Sequence, residues 1–376
     1  MFWFIVTFIV FVLVAALRYR LGTDSIRYER FFINGPTLST LSSYDFSKTR
    51  FSPFYIFLNA SIRSLTDQFI VFQFVHAIIV NTVFFYFFYK NCEKIFFSIL
   101  IFFFFLYFTL TMEVLREAFS VCVFLLAWPF FRDGKWFQWY VMSAIAFFLH
   151  TSGVFMFILP LAAVPGVKQL FIFGKRTVLI IIAVYAAAIF IRAKFFDYIQ
   201  ALSLFESVTE RAEMYSKTEL ASSKLNIGGM VGSAFRFVIY PFIALFFLCR
   251  DNHKIFPRDG KLVAMILISI YVGVVTTVMS VFYRFGNYLT FFNIVALSYF
   301  VYSYVKFNFK KVRFQFVTWV IFFLPMFFFQ FQQVYMGGAN MSGTLKMYSV
   351  YYPYASRFDM TKDEKREKVF AGFHAY

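Results

Sequence analysis

Residues 95–131 read IFFSILIFFFFLYFTLTMEVLREAFSVCVFLLAWPFF, and the only charged side chains in this run are Glu113, Arg116 and Glu117. As a single helix the run would be about 55 Å long, whereas the hydrocarbon core of a bilayer is about 30 Å thick. We therefore predict two membrane spans that meet at the charged cluster. The same length argument applies to the other apolar runs of the chain.

The overall composition favours a membrane protein. Of the 376 residues, 61% are hydrophobic, 15% are charged and 63 are Phe. Soluble domains contain about 25% charged residues, and only lipid accepts apolar side chains on every face of a helix. We predict an all-α polytopic membrane protein with about 10–11 transmembrane helices. The predicted spans are residues 2–17, 68–89, 95–111, 114–131, 136–149, 151–165, 177–191, 229–249, 262–283, 285–305 and 314–333.

The positive charge of the chain predicts its orientation. The net charge of +17 is carried largely by short basic clusters between the apolar runs, which is typical of loops facing an anionic leaflet, so we predict no nucleic-acid partner. We predict one transmembrane domain over residues 1–333, with loops 18–67 and 192–228 and a polar tail, 334–376, outside the cytoplasm. The predicted cytoplasmic loops are residues 90–94, 132–135, 168–176, 250–261 and 306–313.

The apolar stretch 136–164 is interrupted by His150-Thr151-Ser152-Gly153. Each half would be only about 21 Å long as a helix, which is too short to cross the bilayer comfortably. We predict a short or re-entrant helical hairpin with His150 near its apex. Backbone that is broken at membrane depth is tolerated only where protein or a water-filled cavity surrounds it.

Several ionisable residues lie inside the predicted spans or at their ends, and the predicted topology places them all toward the outer side of the membrane. Ionisable groups at membrane depth are costly and usually mark a site. Each also has a structural explanation: an arginine snorkelling at a helix end, an ion pair closing a hairpin, a histidine bonded to backbone, or an interfacial anchor. The residues concerned are Arg18, Arg20, Asp24, Glu113, Arg116, Glu117, His150, Arg236 and Arg284.

Clustered arginines indicate a phosphorylated ligand, because the guanidinium group keeps its charge and binds phosphate oxygens bidentately. The sequence contains no nucleotide-binding glycine motif, so an extracytoplasmic phosphate donor would be lipid-linked. The histidines lack metal-ligand spacing, and Cys92, Cys122 and Cys249 form no CxxC pair. We therefore predict neither a metal nor another cofactor.

Three short motifs carry a family resemblance. Residues 18–24 (RYRLGTD) with Tyr28, residues 115–118 (LREA) and residues 148–152 (FLHTS) resemble motifs of the EpsG-like family of Wzy-type polysaccharide polymerases. Residues 284–288 and 352–354 fit more loosely. Two features depart from the family pattern: Glu117 replaces a usual Gln, and residues 50–54 (RFSPF) replace an acidic stretch.

The resemblance implies a GT-C-like helical bundle in the bacterial inner membrane, with its active site facing the periplasm or exterior. Such an enzyme polymerises oligosaccharide repeat units carried on undecaprenyl diphosphate, which is both donor and acceptor, and a chain-length regulator or flippase would be its protein partner. An acceptor hydroxyl would displace the lipid diphosphate. On this interpretation Asp24, Glu117 or His150 is the catalytic base or orients the acceptor. The substrate-binding residues would be Arg18, Arg116, Arg236, Arg284, Tyr28 and Tyr288.

Two other functions stay open at this stage. A transporter or flippase for a lipid-linked sugar would use the same arginines, but it would also need polar groups through the inner half of the spans, where few occur. A membrane O-acyltransferase could use His150, but it would need a cytoplasmic entry for its acyl donor, and His150 is predicted on the outer side.

Overall fold

The computed structural model describes residues 1–49, 51–201, 227–250, 259–279, 282–308, 350–360, 364 and 366–367. Within these residues the regular structure is helical, apart from one isolated β-bridge between Arg18 and Ser356, so the all-α prediction is confirmed. Three described helices are long and apolar enough to cross a membrane, or four if a bent helix pair at 151–171 forms one span. The predicted span 314–333 lies outside the described residues, and the total number of spans stays a prediction.

The helices follow the predicted order of apolar runs, with additional helices between them. A π-helical segment, Phe235–Ile239, separates the helices Ile227–Ala234 and Tyr240–Arg250. The helices are α1 (Phe2–Ala16), α2 (Ser25–Asn34), α3 (Pro53–Arg63), α4 (Phe69–Asn91), α5 (Ile95–Phe102), α6 (Leu115–Asp133), α7 (Trp136–Leu149), α8 (Phe155–Ile158), α9 (Pro165–Lys168), α10 (Lys175–Ala201), α11 (Ile227–Ala234), α12 (Tyr240–Arg250), α13 (Gly260–Val278) and α14 (Tyr283–Asn308).

Aromatic packing joins α1 to α4 and to the segment after α5. The Phe85 ring of α4 lies 5.4 Å from the Phe11 ring, and the Tyr107 hydroxyl donates a 2.5 Å hydrogen bond to the Phe11 carbonyl oxygen. The opposite face of α1 leaves large apolar side chains such as Ile5, Ile9 and Leu13 exposed. An exposed apolar helix face of this kind is compatible with lipid rather than water.

The helical structure of 95–131 is broken at the charged cluster, where the two predicted spans meet; that each half crosses the membrane stays a prediction. Helix α5 continues into two π-helical turns, Phe103–Tyr107 and Thr109–Glu113, and Val114 then leaves helical geometry with φ −95° and ψ 59° before α6 begins. The helical spacing expected for Glu113 and Arg116 is therefore interrupted. A π-helical turn re-aims side chains and is frequently found at functional sites.

The long segment 18–67 contains two helices that hydropathy did not predict. Helix α2 is amphipathic and buries Tyr28 and Phe32. Helix α3 begins after Ser52 with Pro53 in its first turn, where the missing proline N–H costs no hydrogen bond. The segment is therefore a folded cap rather than an extended loop.

The short hairpin predicted around His150 is present. Helix α7 ends at Leu149, His150 is extended, and a 3-10 turn, Thr151–Val154, leads into α8. The two halves are joined by a 3.0 Å hydrogen bond from Trp139 Nε1 to the Met156 carbonyl oxygen. A Cβ on Gly153 would lie 2.6 Å from the Phe147 backbone nitrogen, so the halves approach closely only because this residue is glycine.

The contacts divide the chain into two compact units: Met1–Pro160 with Val334–Tyr376, and Leu161–Gln333. In the first unit, residues 350–360 pair with residues 17–22. The Tyr19 N–H donates to the Ala355 carbonyl oxygen at 2.8 Å, and the Arg357 N–H donates to the Leu17 carbonyl oxygen at 2.9 Å. In the second unit, α13 packs against α10 and α14. The prediction of a single transmembrane domain over residues 1–333 stays a prediction.

The pairing of residues 17–22 with 350–360 predicts that both segments lie on the same side of the membrane. Phe358 is 84% exposed and Leu65 is 87% exposed. In a protein lacking its native cysteines, we expect Phe358→Cys and Leu65→Cys to react equally with a membrane-impermeant maleimide in intact spheroplasts. Lys135→Cys, in a predicted cytoplasmic loop, should react only after permeabilisation. Labelling of Phe358→Cys and Leu65→Cys from opposite sides would contradict the pairing.

Candidate functional site

The turn Gly22-Thr23-Asp24 lies directly on the π-helical turn Thr109–Glu113. Gly22 has φ +94°, and a Cβ at this position would overlap the Met112 carbonyl oxygen. The Thr23 hydroxyl donates a 3.5 Å hydrogen bond to Glu113 Oε1. The glycine of the first motif therefore permits a contact between chain segments that are far apart in sequence.

Glu113 is the carboxylate at the centre of this contact, although the sequence interpretation did not select it. Glu113 as a whole residue is partly exposed, and its carboxylate accepts a hydrogen bond from Tyr351 of the C-terminal segment, residues 350–360. Glu113 lies beyond the apolar helix Ile95–Tyr107, between two predicted spans. Burial raises the pKa of Glu113 to about 7; the Tyr351 hydrogen bond opposes this rise, and the nearby Asp24 charge adds to it. This carboxyl can therefore gain or lose a proton near neutral pH.

Arg116 and Tyr28, both predicted to bind substrate, are brought together. Arg116 is partly exposed in the first turn of α6 and hydrogen-bonds the buried Tyr28 side chain. Its guanidinium carbon lies 4.7 Å from the centre of the Phe51 ring, a cation–π distance. Phe51 comes from the stretch that departs from the family pattern. The aromatic ring gives that stretch a structural role, because it holds the arginine at the surface of the cap.

Glu117 and His150, two of the predicted base candidates, are both buried, with exposures of 1% and 6%. His150 Nδ1 accepts a 3.2 Å hydrogen bond from the Ser152 N–H and lies 2.6 Å from the Ser152 hydroxyl oxygen. Because Nδ1 is an acceptor, the neutral ring carries its proton on Nε2. Ser120, one turn beyond Glu117, donates to the Ala146 carbonyl oxygen of α7 at 2.8 Å, which fixes α6 against the hairpin.

Arg18 is enclosed in the first unit, with only 1% of its surface exposed. Its Nη1 donates to the Ala15 carbonyl oxygen, so the side chain caps the end of α1. An adjoining cavity of about 10 Å³, enough for one water molecule, is lined by Arg18, Ser25, Gln73 and Arg357 among others. A phosphate group would not fit in this cavity, so contact between Arg18 and a diphosphate would require the cap to open.

An ion-pair network holds the C-terminal segment on the cap. Arg20 Nε lies 3.1 Å from Glu29 Oε2, and Arg357 Nη2 lies 3.5 Å from Glu29 Oε1. Arg20 Nη1 also lies 2.6 Å from Glu367 Oε1. Because these contacts join residues 20–29 to residues 357–367, they keep Tyr351 close to Glu113.

The other predicted binding residues lie in the second unit. Arg236 is partly buried in the π-helical segment Phe235–Ile239, 4.7 Å from the Phe237 ring centre. Arg284 is in the first turn of α14, where its guanidinium carbon lies 5.6 Å from the Tyr283 ring centre, and Tyr288 is fully buried. A shared site of these residues with Asp24, Arg116 and His150 stays a prediction.

Comparison with known proteins gives the family. The profile of the EpsG family matches residues 1–356, so it includes the 18–24 turn and residues 350–356 of the segment that pairs with it. The chain belongs to the EpsG family. No curated protein and no solved structure matches it. EpsG membership and the apolar helices together identify a polysaccharide-polymerase-like, glycosyltransferase-like protein of a bacterial membrane.

Proposed function

We propose that this EpsG protein is a glycosyltransferase that polymerises oligosaccharide repeat units carried on undecaprenyl diphosphate. The reaction would take place on the extracytoplasmic face of the bacterial inner membrane. The proposal rests on the convergence of Asp24, Tyr28, Glu113 and Arg116 at one place in the first unit. These side chains combine a cation suited to phosphate with carboxylates suited to proton transfer, as the reaction requires.

In the proposed reaction an acceptor sugar hydroxyl attacks the anomeric carbon of the donor. The new carbon–oxygen bond forms as the bond from that carbon to the diphosphate oxygen breaks. The lipid diphosphate leaves with the electron pair, and the hydroxyl proton passes to a base. Charge that develops on the diphosphate would be stabilised by arginine side chains, whose planar donors match phosphate oxygens.

Among the arginines of the first unit that the structure describes, Arg116 is the best placed for this role. Its contacts with Phe51 and Tyr28 fix the guanidinium group while part of it stays exposed. Holding a charged donor in place before the reaction avoids a reorganisation cost in the transition state. Arg18 would contribute to the diphosphate site after movement of the cap.

The proposed function can be tested with the purified protein in proteoliposomes. We expect the lipid-linked repeat unit extracted from the source bacterium to be converted into a ladder of longer lipid-linked glycans. Movement of a fluorescent lipid-linked sugar across the bilayer without elongation would instead indicate a flippase. Acyl transfer to the sugar from added acyl-CoA would indicate an O-acyltransferase. Either result without a ladder would overturn the proposal.

A further inference from the structure

We propose that Glu113 accepts the proton of the acceptor hydroxyl, and that Tyr351 of the C-terminal segment tunes this carboxylate. The inference deepens the proposed function and rests on it. The carboxylate takes the hydroxyl proton as the acceptor oxygen bonds to the anomeric carbon. The electron pair of the broken bond leaves with the lipid diphosphate, and the protonated carboxyl later returns its proton to water.

Accessibility distinguishes Glu113 from two of the residues that the sequence suggested. Glu117 and His150 are buried, whereas Glu113 is partly exposed as a residue. A base must come within hydrogen-bonding distance of the hydroxyl that it deprotonates. Glu113 also follows Met112 in the π-helical turn on which Gly22-Thr23-Asp24 rests, so the motif at residues 18–24 positions this carboxylate.

The groups around Glu113 suit a base that works near neutral pH. Asp24 contributes like charge, Tyr351 donates a hydrogen bond, and burial raises the Glu113 pKa to about 7. The ionisable groups on the neighbouring helices have other contacts: Arg116 bonds Tyr28, and His76 Nε2 lies 3.2 Å from the Leu115 carbonyl oxygen. Catalysis is most efficient when the pKa of the base lies near the working pH.

The test measures initial elongation rates between pH 5 and 9 for the purified full-length protein. A carboxyl is a base only when ionised, so we expect the wild-type rate to rise with pH and to level off above about pH 7. Glu113→Gln should lower the rate by about 100-fold or more and remove this inflection. Glu93→Gln, at an exposed carboxylate in a predicted cytoplasmic loop, is the matched control and should leave the rate and profile unchanged.

A second variant separates proton transfer from a purely structural role. Because the Tyr351 hydrogen bond lowers the Glu113 pKa, Tyr351→Phe should move the inflection to higher pH while elongation continues. A wild-type ladder together with a Glu113→Gln rate within about threefold of wild type would overturn the base assignment alone. An unmoved inflection in Tyr351→Phe would overturn the tuning role. A wild type that makes no ladder contradicts the proposed function, and with it this inference.

Discussion

Replacing Arg116 with alanine should lower the elongation rate by about 10²–10³-fold, the usual cost of removing one donor that stabilises transition-state charge. The side chain is partly exposed and contacts the Phe51 ring, so its removal should leave the helices folded. The measurement is the initial rate of ladder formation in proteoliposomes, with thermal unfolding in detergent as the check on folding. Arg132→Ala is the matched control, because Arg132 is an exposed arginine in a predicted cytoplasmic loop.

Two further variants show how Arg116 acts. Arg116→Lys keeps the positive charge but loses the planar fork, so it should recover only part of the lost rate. Tyr28→Phe removes the hydroxyl that Arg116 hydrogen-bonds. If Arg116 served only to hold Tyr28, Arg116→Ala and Tyr28→Phe would lower the elongation rate equally, because each removes the bond. We expect Tyr28→Phe to lower the rate much less than Arg116→Ala. An Arg116→Ala rate within about threefold of wild type would contradict a role in binding the diphosphate.

Much of the helical order could be predicted because it depends on local composition. A run of about 20 apolar residues has few alternatives to a membrane helix, and α4 closely matches its predicted span. The hairpin at His150 was predictable for the same reason, since its two halves are too short to cross separately. Helix α2 was missed because it is amphipathic and only ten residues long, so a hydropathy window does not detect it.

The candidate site was harder to predict because it depends on contacts between distant segments. For Glu113 the sequence also allows an ion pair that closes a hairpin, since its spacing from Arg116 suits a continuous helix. The break at Val114 removes that spacing, and Tyr351 then approaches Glu113 from the other end of the chain. The one sequence signal for Glu113 was its position in an otherwise apolar run.

The largest structural effect is expected at Gly22. Alanine there combines two costs: a left-handed backbone conformation that L-residues disfavour, and a Cβ that overlaps the Met112 carbonyl oxygen. Backbone cannot rotate aside as a flexible side chain can, so the 18–24 turn would have to lift away from Glu113. We expect Gly22→Ala to cost about 2–5 kcal/mol in the free energy of unfolding and to abolish elongation.

Two other glycines separate these costs. Gly134 also has a positive φ, +72°, but a Cβ there would meet no atom within 4 Å. A Cβ on Gly166 would likewise meet no atom within 4 Å, and Gly166 is not among the residues with a positive φ. Gly134→Ala should therefore lose only about 1 kcal/mol, and Gly166→Ala should be neutral. Thermal unfolding in detergent and elongation rates would be compared across the three variants. If Gly22→Ala behaved like Gly134→Ala in both measurements, backbone strain alone would account for the effect of replacing Gly22. The close contact between the first motif and the Glu113 turn, on which the proposed active site depends, would then be wrong.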